Sequence, residues 1–124
     1  MANEQEQRKY PRLSITGREY GTRFLVQGTE IRGSRLVNLS AGGCGLEVQV
    51  SDARFIAEGE VLEALYLDHP DLPRVPLSAV VLRVLGKLPG KVTGYVLVGV
   101  EYQGITPFVR NLIGGHVDSQ MSTE

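Results

Sequence analysis

Residues 34–50 restrict the fold most, because two apolar runs are separated there by a glycine-rich turn. Predicted strands at 36–39 and 46–50 flank this turn, which holds three glycines within four residues, at positions 42, 43 and 45. Glycine adopts positive φ freely and lets a ligand approach bare backbone amides. The segment therefore predicts an antiparallel hairpin, whose function depends on whether a charged element elsewhere in the chain faces it.

The rest of the chain repeats this pattern of short apolar runs and polar turns. Residues 51–59 predict a loop with one helical turn. In the last predicted strand Val96, Val98, Val100 and Tyr102 share one face at period two. Outside the hairpin, strands are expected at 13–16, 22–27, 60–67, 75–85 and 95–102, and polar turns are expected at 28–33, 69–73 and 86–94.

A change of pattern at Thr106-Pro107 predicts one helix, because Thr is a good N-cap and Pro is favoured at the first helical position. Gly114-Gly115 predicts its end, so the helix is expected over about 106–114. Its apolar pairs, spaced four residues apart, are Phe108 with Leu112 and Val109 with Ile113.

These elements predict one all-β domain with a single helix. A chain of 124 residues fits one domain by length. The domain is expected at residues 8–115, as a small barrel or curled sheet. Flexible tails are expected at 1–7 and 116–124.

Charge and residue usage exclude several function classes. Thirteen basic and fourteen acidic residues give a net charge of -1, so no global field recruits DNA, RNA or anionic lipid. The lone Cys44 excludes an internal disulfide, and no metal site is expected because the two histidines are distant in sequence. Each histidine is expected at the surface, because His69 precedes Pro70 in a turn and His116 follows the predicted glycine stop.

The same residues argue against an enzyme and against a membrane protein. No combination of Ser, Cys and His has usable catalytic spacing, and the carboxylates are scattered. The first residues lack the apolar core of a signal peptide, and no apolar run reaches the roughly 18 residues that a membrane span needs. A cytoplasmic protein without membrane insertion is therefore expected.

Two polar groups offer chemistry for a ligand. Arg8 and Arg12 lie four apart in a predicted extended strap, and each guanidinium can grip a phosphate or the edge of a guanine. Asn38 and Ser40 lie two apart on a predicted strand, so they share a face, and Gly43 leaves room for a ligand. Neither group alone is specific, since paired arginines are commonly solvated and Asn-x-Ser before glycines is commonly a capped turn.

Taken together, Arg8-x-x-x-Arg12 and Asn38-x-Ser40-x-x-Gly43 resemble the paired signature of PilZ domains, bacterial receptors for the second messenger cyclic di-GMP. The resemblance covers nearly the whole chain, since residues 80–84 and 99–102 are similar to later strands of that family. It implies a six-stranded antiparallel β-barrel followed by a short C-terminal α-helix, with both motifs on the outer surface.

The resemblance also implies a role for each motif. Arg8 and Arg12 would bind guanine and phosphate groups, while Asn38, Ser40 and Gly43 would receive a guanine. Further candidates for close backbone approach to the ligand are Gly45 and Gly99. Asn at the first position of the second motif replaces the commoner Asp, which removes a charge-assisted bond to guanine.

Three hypotheses follow. The first is a cyclic di-GMP receptor without a further cofactor, in which the ligand orders residues 5–12 and an unidentified protein partner reads the change. The second is a PilZ-like protein–protein interaction module that does not bind cyclic di-GMP. The third is a small nucleic-acid-binding barrel, which the near-neutral charge and the absence of Trp disfavour.

Overall fold

Seven β-strands and two helices make up the part of the chain that the computed structural model describes, residues 9–17, 19–90 and 93–122. The predicted tail at 1–7 and Arg8 lie outside the described residues. The strands are β1 (Leu13–Ser14), β2 (Gly21–Val26), β3 (Thr29–Leu39), β4 (Gly43–Gln49), β5 (Val61–Asp68), β6 (Leu77–Leu85) and β7 (Tyr95–Gln103), and the helices are α1 (Val50–Ala53) and α2 (Pro107–Ser122).

Six of these strands close into an antiparallel barrel. The strand order is β1-β3-β2-β5-β6-β7-β4, and β4 pairs back onto β3 to complete the ring. The short β1 pairs with the far end of β3, where Ser14 lies opposite Asn38. The predicted barrel with its C-terminal helix is confirmed. Because β1 pairs with the end of β3 that carries Asn38, the N-terminal strap that precedes β1 also lies near this end.

The barrel interior is filled by residues that face inward at alternate positions along its strands. Val96, Val98, Val100 and Tyr102 are all buried on one face of β7, as predicted. The burial of alternate residues fixes the register, because a slip of one residue would turn every apolar side chain towards water. The helical turn expected within 51–59 is present as α1.

The polar turn predicted at 28–33 is wrong. The connection between β2 and β3 is a tight turn in which Gln27 and Gly28 both have positive φ, 49° and 78°, a pattern typical of two-residue hairpin loops. Glu30 and Arg32 face outward, while Ile31 between them is buried. The segment looked like a loop because the outward face of a barrel strand is polar.

The predicted helix end at Gly114 is also wrong, since α2 runs from Pro107 to Ser122, and so is the predicted tail as far as residue 122; residues 123–124 lie outside the described part of the chain. Glycine costs about 1 kcal/mol in a helix interior relative to Ala. Packing offsets this cost, because Ile113 and Val117 are buried against the barrel. A Cβ on Gly114 would lie 3.4 Å from the Ala41 Cβ, so this glycine brings the helix close to the β3–β4 turn.

Of the two apolar pairs expected in α2, one packs against the core and the other is exposed. Ile113 is fully buried and Val109 packs against the core, but Phe108 is 72% exposed and Leu112 is 43% exposed. The stripe that contacts the barrel therefore continues through Ile113 to the second half of the helix, where His116 and Val117 are buried.

The prediction that His116 is a surface residue is wrong, and His69 is half-buried. His116 is buried, and its Nε2 lies 2.7 Å from the Tyr20 hydroxyl. The ring of His69 stacks on Tyr20 with centroids 4.1 Å apart. Burial and the neighbouring His69 lower the pKa of His116, while Asp71 opposes this shift. These side chains connect α2 to the β5–β6 turn.

Among the described residues, no helix combines the length and apolar character that a membrane-spanning helix needs.

Candidate functional site

One open cavity of about 660 Å³ lies on the outside of the barrel, between the N-terminal strap, the β3–β4 turn, β6, β7 and the start of α2. All the described residues that the sequence predicts to bind ligand contribute to its wall, although they come from three separate parts of the chain. They are Arg12, Asn38, Ser40, Gly43, Gly45 and Gly99. Arg8 lies outside the described residues, next to Lys9, which lines the same cavity.

Ser40 holds the β3–β4 turn together. Its Oγ accepts hydrogen bonds from the backbone N–H groups of Gly42 and Gly43, each at 3.2 Å, and it donates to the Gly43 carbonyl at 3.2 Å. The Ser40 backbone N–H also donates to the Gly43 carbonyl, at 2.9 Å. The hydroxyl therefore fixes the shape of the turn that borders the cavity.

Asn38 and Arg83 lie at opposite ends of a row that crosses four strands in register. Asn38 pairs with Gly45, Gly45 pairs with Gly99, and Gly99 pairs with Arg83. A Cβ on Gly45 would lie 2.5 Å from the Asn38 Nδ2, and one on Gly99 would lie 3.4 Å from the Arg83 Cγ. The two glycines thus form a bare floor over which an amide and a guanidinium extend.

The sequence suggested that Gly43 leaves room for a ligand, but the structure gives a different reason for glycine at this position. A Cβ at this position would collide with the backbone carbonyl of Val100 on β7, and backbone cannot move aside as a side-chain end can. Gly43 lines the cavity, but the tightest restriction at this position is the packing of β4 against β7.

The strap is held against the turn by Tyr10. A Cβ on Gly42 would lie 2.8 Å from the Tyr10 Cδ2, so the tyrosine ring covers this glycine. The Lys9 ammonium lies 5.7 Å from the centre of the same ring. This contact places Arg12 at the cavity wall, one residue before β1.

Three consecutive turn residues therefore contact three different elements. Ala41 faces Gly114 of α2, Gly42 faces Tyr10 of the strap, and Gly43 faces β7. The Gly42 carbonyl also accepts a hydrogen bond of 3.0 Å from the Tyr102 N–H. The turn is the junction between strap, helix and barrel.

The cavity wall is cationic although the chain as a whole has a net charge of -1. Lys9, Arg12, Arg83 and Arg110 contribute four positive charges, against one negative charge from Glu101. A concave surface with charges of one sign attracts ligands of the opposite sign. The arrangement is therefore suited to an anion that also has flat polar groups.

Arg83 and Arg110 were not predicted as site residues. Arg83 is the one charged residue in a largely apolar strand, which is the signal that could have identified it. The Nε of Arg110 is buried and has no hydrogen-bond partner among the described residues, so it is an unused donor at the cavity wall. Its position depends on the docking of α2, which sequence periodicity alone does not give.

Cys44 lies behind the turn and does not offer a reactive group. Its thiol is buried, and this burial raises the pKa of Cys44 to about 12. The Tyr102 hydroxyl lies beside the thiol without a hydrogen bond of standard geometry to any described residue. Burial likewise raises the pKa of Tyr102 well above its ordinary value. Both groups are therefore neutral at physiological pH.

Comparison with solved structures gives the same fold. The PilZ domain of YcgR from Escherichia coli, solved with c-di-GMP, superposes with a TM-score of 0.72 at 16% identity, covering 94% of this chain and 93% of that one. The MrkH–c-di-GMP complex of K. pneumoniae gives a TM-score of 0.74 at 15% identity. The inhibitor of motility MotI/DgrA of Bacillus subtilis gives 0.73 at 21% identity.

Coverage differs among these structures. The chain spans about half of the other two proteins, 53% of MrkH and 52% of MotI/DgrA, while 94% of its own length is matched in both cases. No curated protein sequence matches the chain significantly. The sequence model of the PilZ domain matches residues 6–119. Because this match covers most of the sequence, the chain belongs to the PilZ domain family.

Proposed function

We propose that this chain is a receptor for cyclic di-GMP, which it binds in the cavity bordered by the strap and the β3–β4 turn. The observation that carries the proposal is the convergence of Arg12, Asn38, Ser40, Gly45 and Gly99 on one cationic cavity, although they are far apart in sequence. Cyclic di-GMP combines two phosphates with two guanines, which are the groups that arginine and amide side chains recognise. The role is binding, and no reaction is assigned to the site.

Each motif supplies a distinct part of the recognition. The guanidinium groups of Arg8 and Arg12 bind phosphate and a guanine edge, while the Asn38 amide hydrogen-bonds to a guanine. Ser40 contributes mainly through the turn, since its hydroxyl already bonds to three backbone groups. The floor formed by Gly45 and Gly99 lets the ligand approach the sheet closely.

Magnitudes indicate that several contacts must act together. A hydrogen bond to a charged group contributes about 1.5 to 3 kcal/mol net. Fixing the backbone of one strap residue costs roughly 1 to 2 kcal/mol. Binding therefore needs both arginines and the turn, and the loss of either motif as a whole should abolish it while the barrel stays folded.

We further propose that the ligand acts by fixing the strap, residues 5–12, against the turn. Tyr10 already contacts Gly42, and the neighbouring Ala41 contacts α2, so a ligand on the strap can alter the surface formed by strap and helix together. A protein partner would read that surface. Hydrogen exchange with and without saturating cyclic di-GMP tests this idea, and unchanged exchange in the strap would rule out the switch.

A second candidate function is an interaction module that does not bind cyclic di-GMP. Several large apolar side chains on and between β6 and β7 are exposed beside the cavity, which is typical of a protein-binding surface. They are Leu82, Leu85, Leu88, Tyr95 and Leu97. Calorimetry separates the two functions, because only the receptor gives binding heat with cyclic di-GMP.

The test compares matched variants. Arg12→Ala and Asn38→Ala are each expected to weaken binding by about tenfold or more, since a lost hydrogen bond to a charged or polar group contributes about 1 to 3 kcal/mol. Arg32→Ala is the control, because Arg32 pairs with Glu30 on the exposed face of β3 and does not line the cavity. Cyclic di-AMP is the ligand control for guanine recognition. The absence of heat with the unmodified chain would exclude the receptor function.

A further inference from the structure

A second cluster of polar side chains lies outside the cavity, where α2 meets the β5–β6 turn. His69 and Asp71 come from that turn, and His116 comes from the second half of α2. One potential ligand atom of each lies within 4.8 Å of those of the other two. His116 is buried, His69 is half-buried and Asp71 is exposed, so the cluster is open to solvent on one side only.

The ring positions agree with those around a shared metal ion. Two imidazole nitrogens about 2.0–2.1 Å from a tetrahedral ion place their ring centroids about 5 Å apart. The centroids of His69 and His116 are 5.0 Å apart. Ligand atoms around such an ion are about 3.4 Å apart. Binding therefore requires rotations that bring the nitrogens and the carboxylate closer, while the rings keep their present separation.

Tyr20 supplies the outer support that metal-binding histidines commonly have. Its hydroxyl lies 2.7 Å from the His116 Nε2, and its oxygen can accept a hydrogen bond from the N–H of that nitrogen, which leaves the Nδ1 lone pair for a metal. Its ring stacks on His69 with an interplanar angle of 13°. One aromatic side chain thus orients both imidazoles.

We propose that His69, Asp71 and His116 form a binding site for a divalent transition-metal ion of the zinc type, with water as the fourth ligand. Two imidazoles and one carboxylate suit zinc and cobalt, whereas calcium and magnesium prefer oxygen ligands alone. The His69 Nδ1 now accepts a hydrogen bond of 3.1 Å from the Asp71 N–H on an exposed turn, and this bond breaks if that nitrogen binds the metal.

The bound ion would connect α2 to the β5–β6 turn through His116, which lies two residues beyond the contact of Gly114 with Ala41. A ligand that binds only the folded state stabilises it by an amount that grows with its concentration. Zinc should therefore raise the unfolding temperature of the chain. This effect does not depend on cyclic di-GMP, so the metal site and the proposed receptor function can fail separately.

The composition of the chain simplifies a zinc titration. It has two histidines, both in the proposed site, and its one cysteine is buried, so no further imidazole and no accessible thiol competes for zinc. A chain without an affinity tag is titrated with zinc chloride by calorimetry at pH 7.5. Cobalt chloride is added in a parallel titration, because tetrahedral cobalt gives strong visible absorption bands.

The variants leave the helix core intact. His69→Gln and Asp71→Asn change side chains of the β5–β6 turn, and each is expected to weaken zinc binding at least about tenfold. Tyr20→Phe keeps the stacked ring but removes the hydroxyl, and the loss of this outer-shell bond should weaken binding by about 10–100-fold. Asp52→Asn in α1 is the matched control and should bind like the unmodified chain.

The expected result is one zinc ion per chain, tetrahedral cobalt bands and a zinc-dependent rise in unfolding temperature. All three should be lost or reduced in His69→Gln, with circular dichroism confirming that the variant is folded. The proposal is overturned if the unmodified chain binds no zinc, or if His69→Gln and Asp71→Asn bind it as tightly as Asp52→Asn does.

Discussion

Two neighbouring glycines of the β3–β4 hairpin should respond in opposite ways to the addition of a methyl group. In Gly45→Ala the new Cβ would lie 2.5 Å from the Asn38 Nδ2, which is the end of a side chain and can rotate away. In Gly43→Ala the new Cβ would collide with the Val100 carbonyl, which is part of the β7 backbone. The first change should therefore affect the ligand site, and the second should affect the fold.

The magnitudes follow from these contacts. Overpacking against a backbone that cannot move costs about 1 to 3 kcal/mol, so Gly43→Ala should lose this much free energy of unfolding. Gly45→Ala should stay within about 1 kcal/mol of the unmodified chain, because Ala also restricts the unfolded state. In the proposed complex, displacing the Asn38 amide would remove one or two hydrogen bonds to guanine, at about 0.5–1.5 kcal/mol each. Cyclic di-GMP binding should then weaken by about two- to 150-fold.

Urea unfolding and calorimetry measure the two effects on the same samples. Gly28→Ala is unsuitable as a control because its φ is 78°, so Gly115→Ala is used, where the added Cβ has no heavy atom within 4 Å. The reasoning is refuted if Gly45→Ala binds cyclic di-GMP as tightly as the unmodified chain. It is also refuted if Gly43→Ala is as stable as the unmodified chain.

Two further predictions concern the core. Because burial raises the pKa of Cys44 to about 12, an aromatic disulfide reagent at pH 8 should react with it much more slowly in the native chain than in urea; equal rates would contradict this. Ile113→Ala should lower the free energy of unfolding by about 2–5 kcal/mol, since Ile113 is fully buried, whereas Leu112→Ala on the exposed side should cost less than about 1 kcal/mol. Urea midpoints measure this difference, and equal losses would show that the wrong face of α2 had been assigned to the core.

Sequence reasoning succeeded where the information is local. Period-two alternation identified the strands of the barrel, including the buried face of β7, because each strand has one face in water and one in the core. Asn38 and Ser40 were expected to share a surface with Arg12, and all three line one cavity. Binding by these residues stays a prediction, and Arg8 lies outside the described part of the chain.

The errors concern contacts between distant segments. Gly114 looked like a helix end, because its closeness to Ala41 depends on how α2 lies against the turn. His69 and His116 are separated by 47 residues, yet their ring centroids are 5.0 Å apart, and no periodicity indicates such a meeting. Arg110 reaches the cavity for the same reason, since the docked helix positions it there.

The junction at residues 41–43 bears on how related sequences should be compared. Gly42 and Gly43 are kept small by the strap and by β7, and Ala41 lies against Gly114 of α2. A homologue that had lost its ligand would still need small residues here in order to fold. The glycines of this signature therefore indicate that a sequence adopts this fold, whereas Arg12 and Asn38 can be replaced once binding is lost. A search for true receptors should weight those two positions above the glycines.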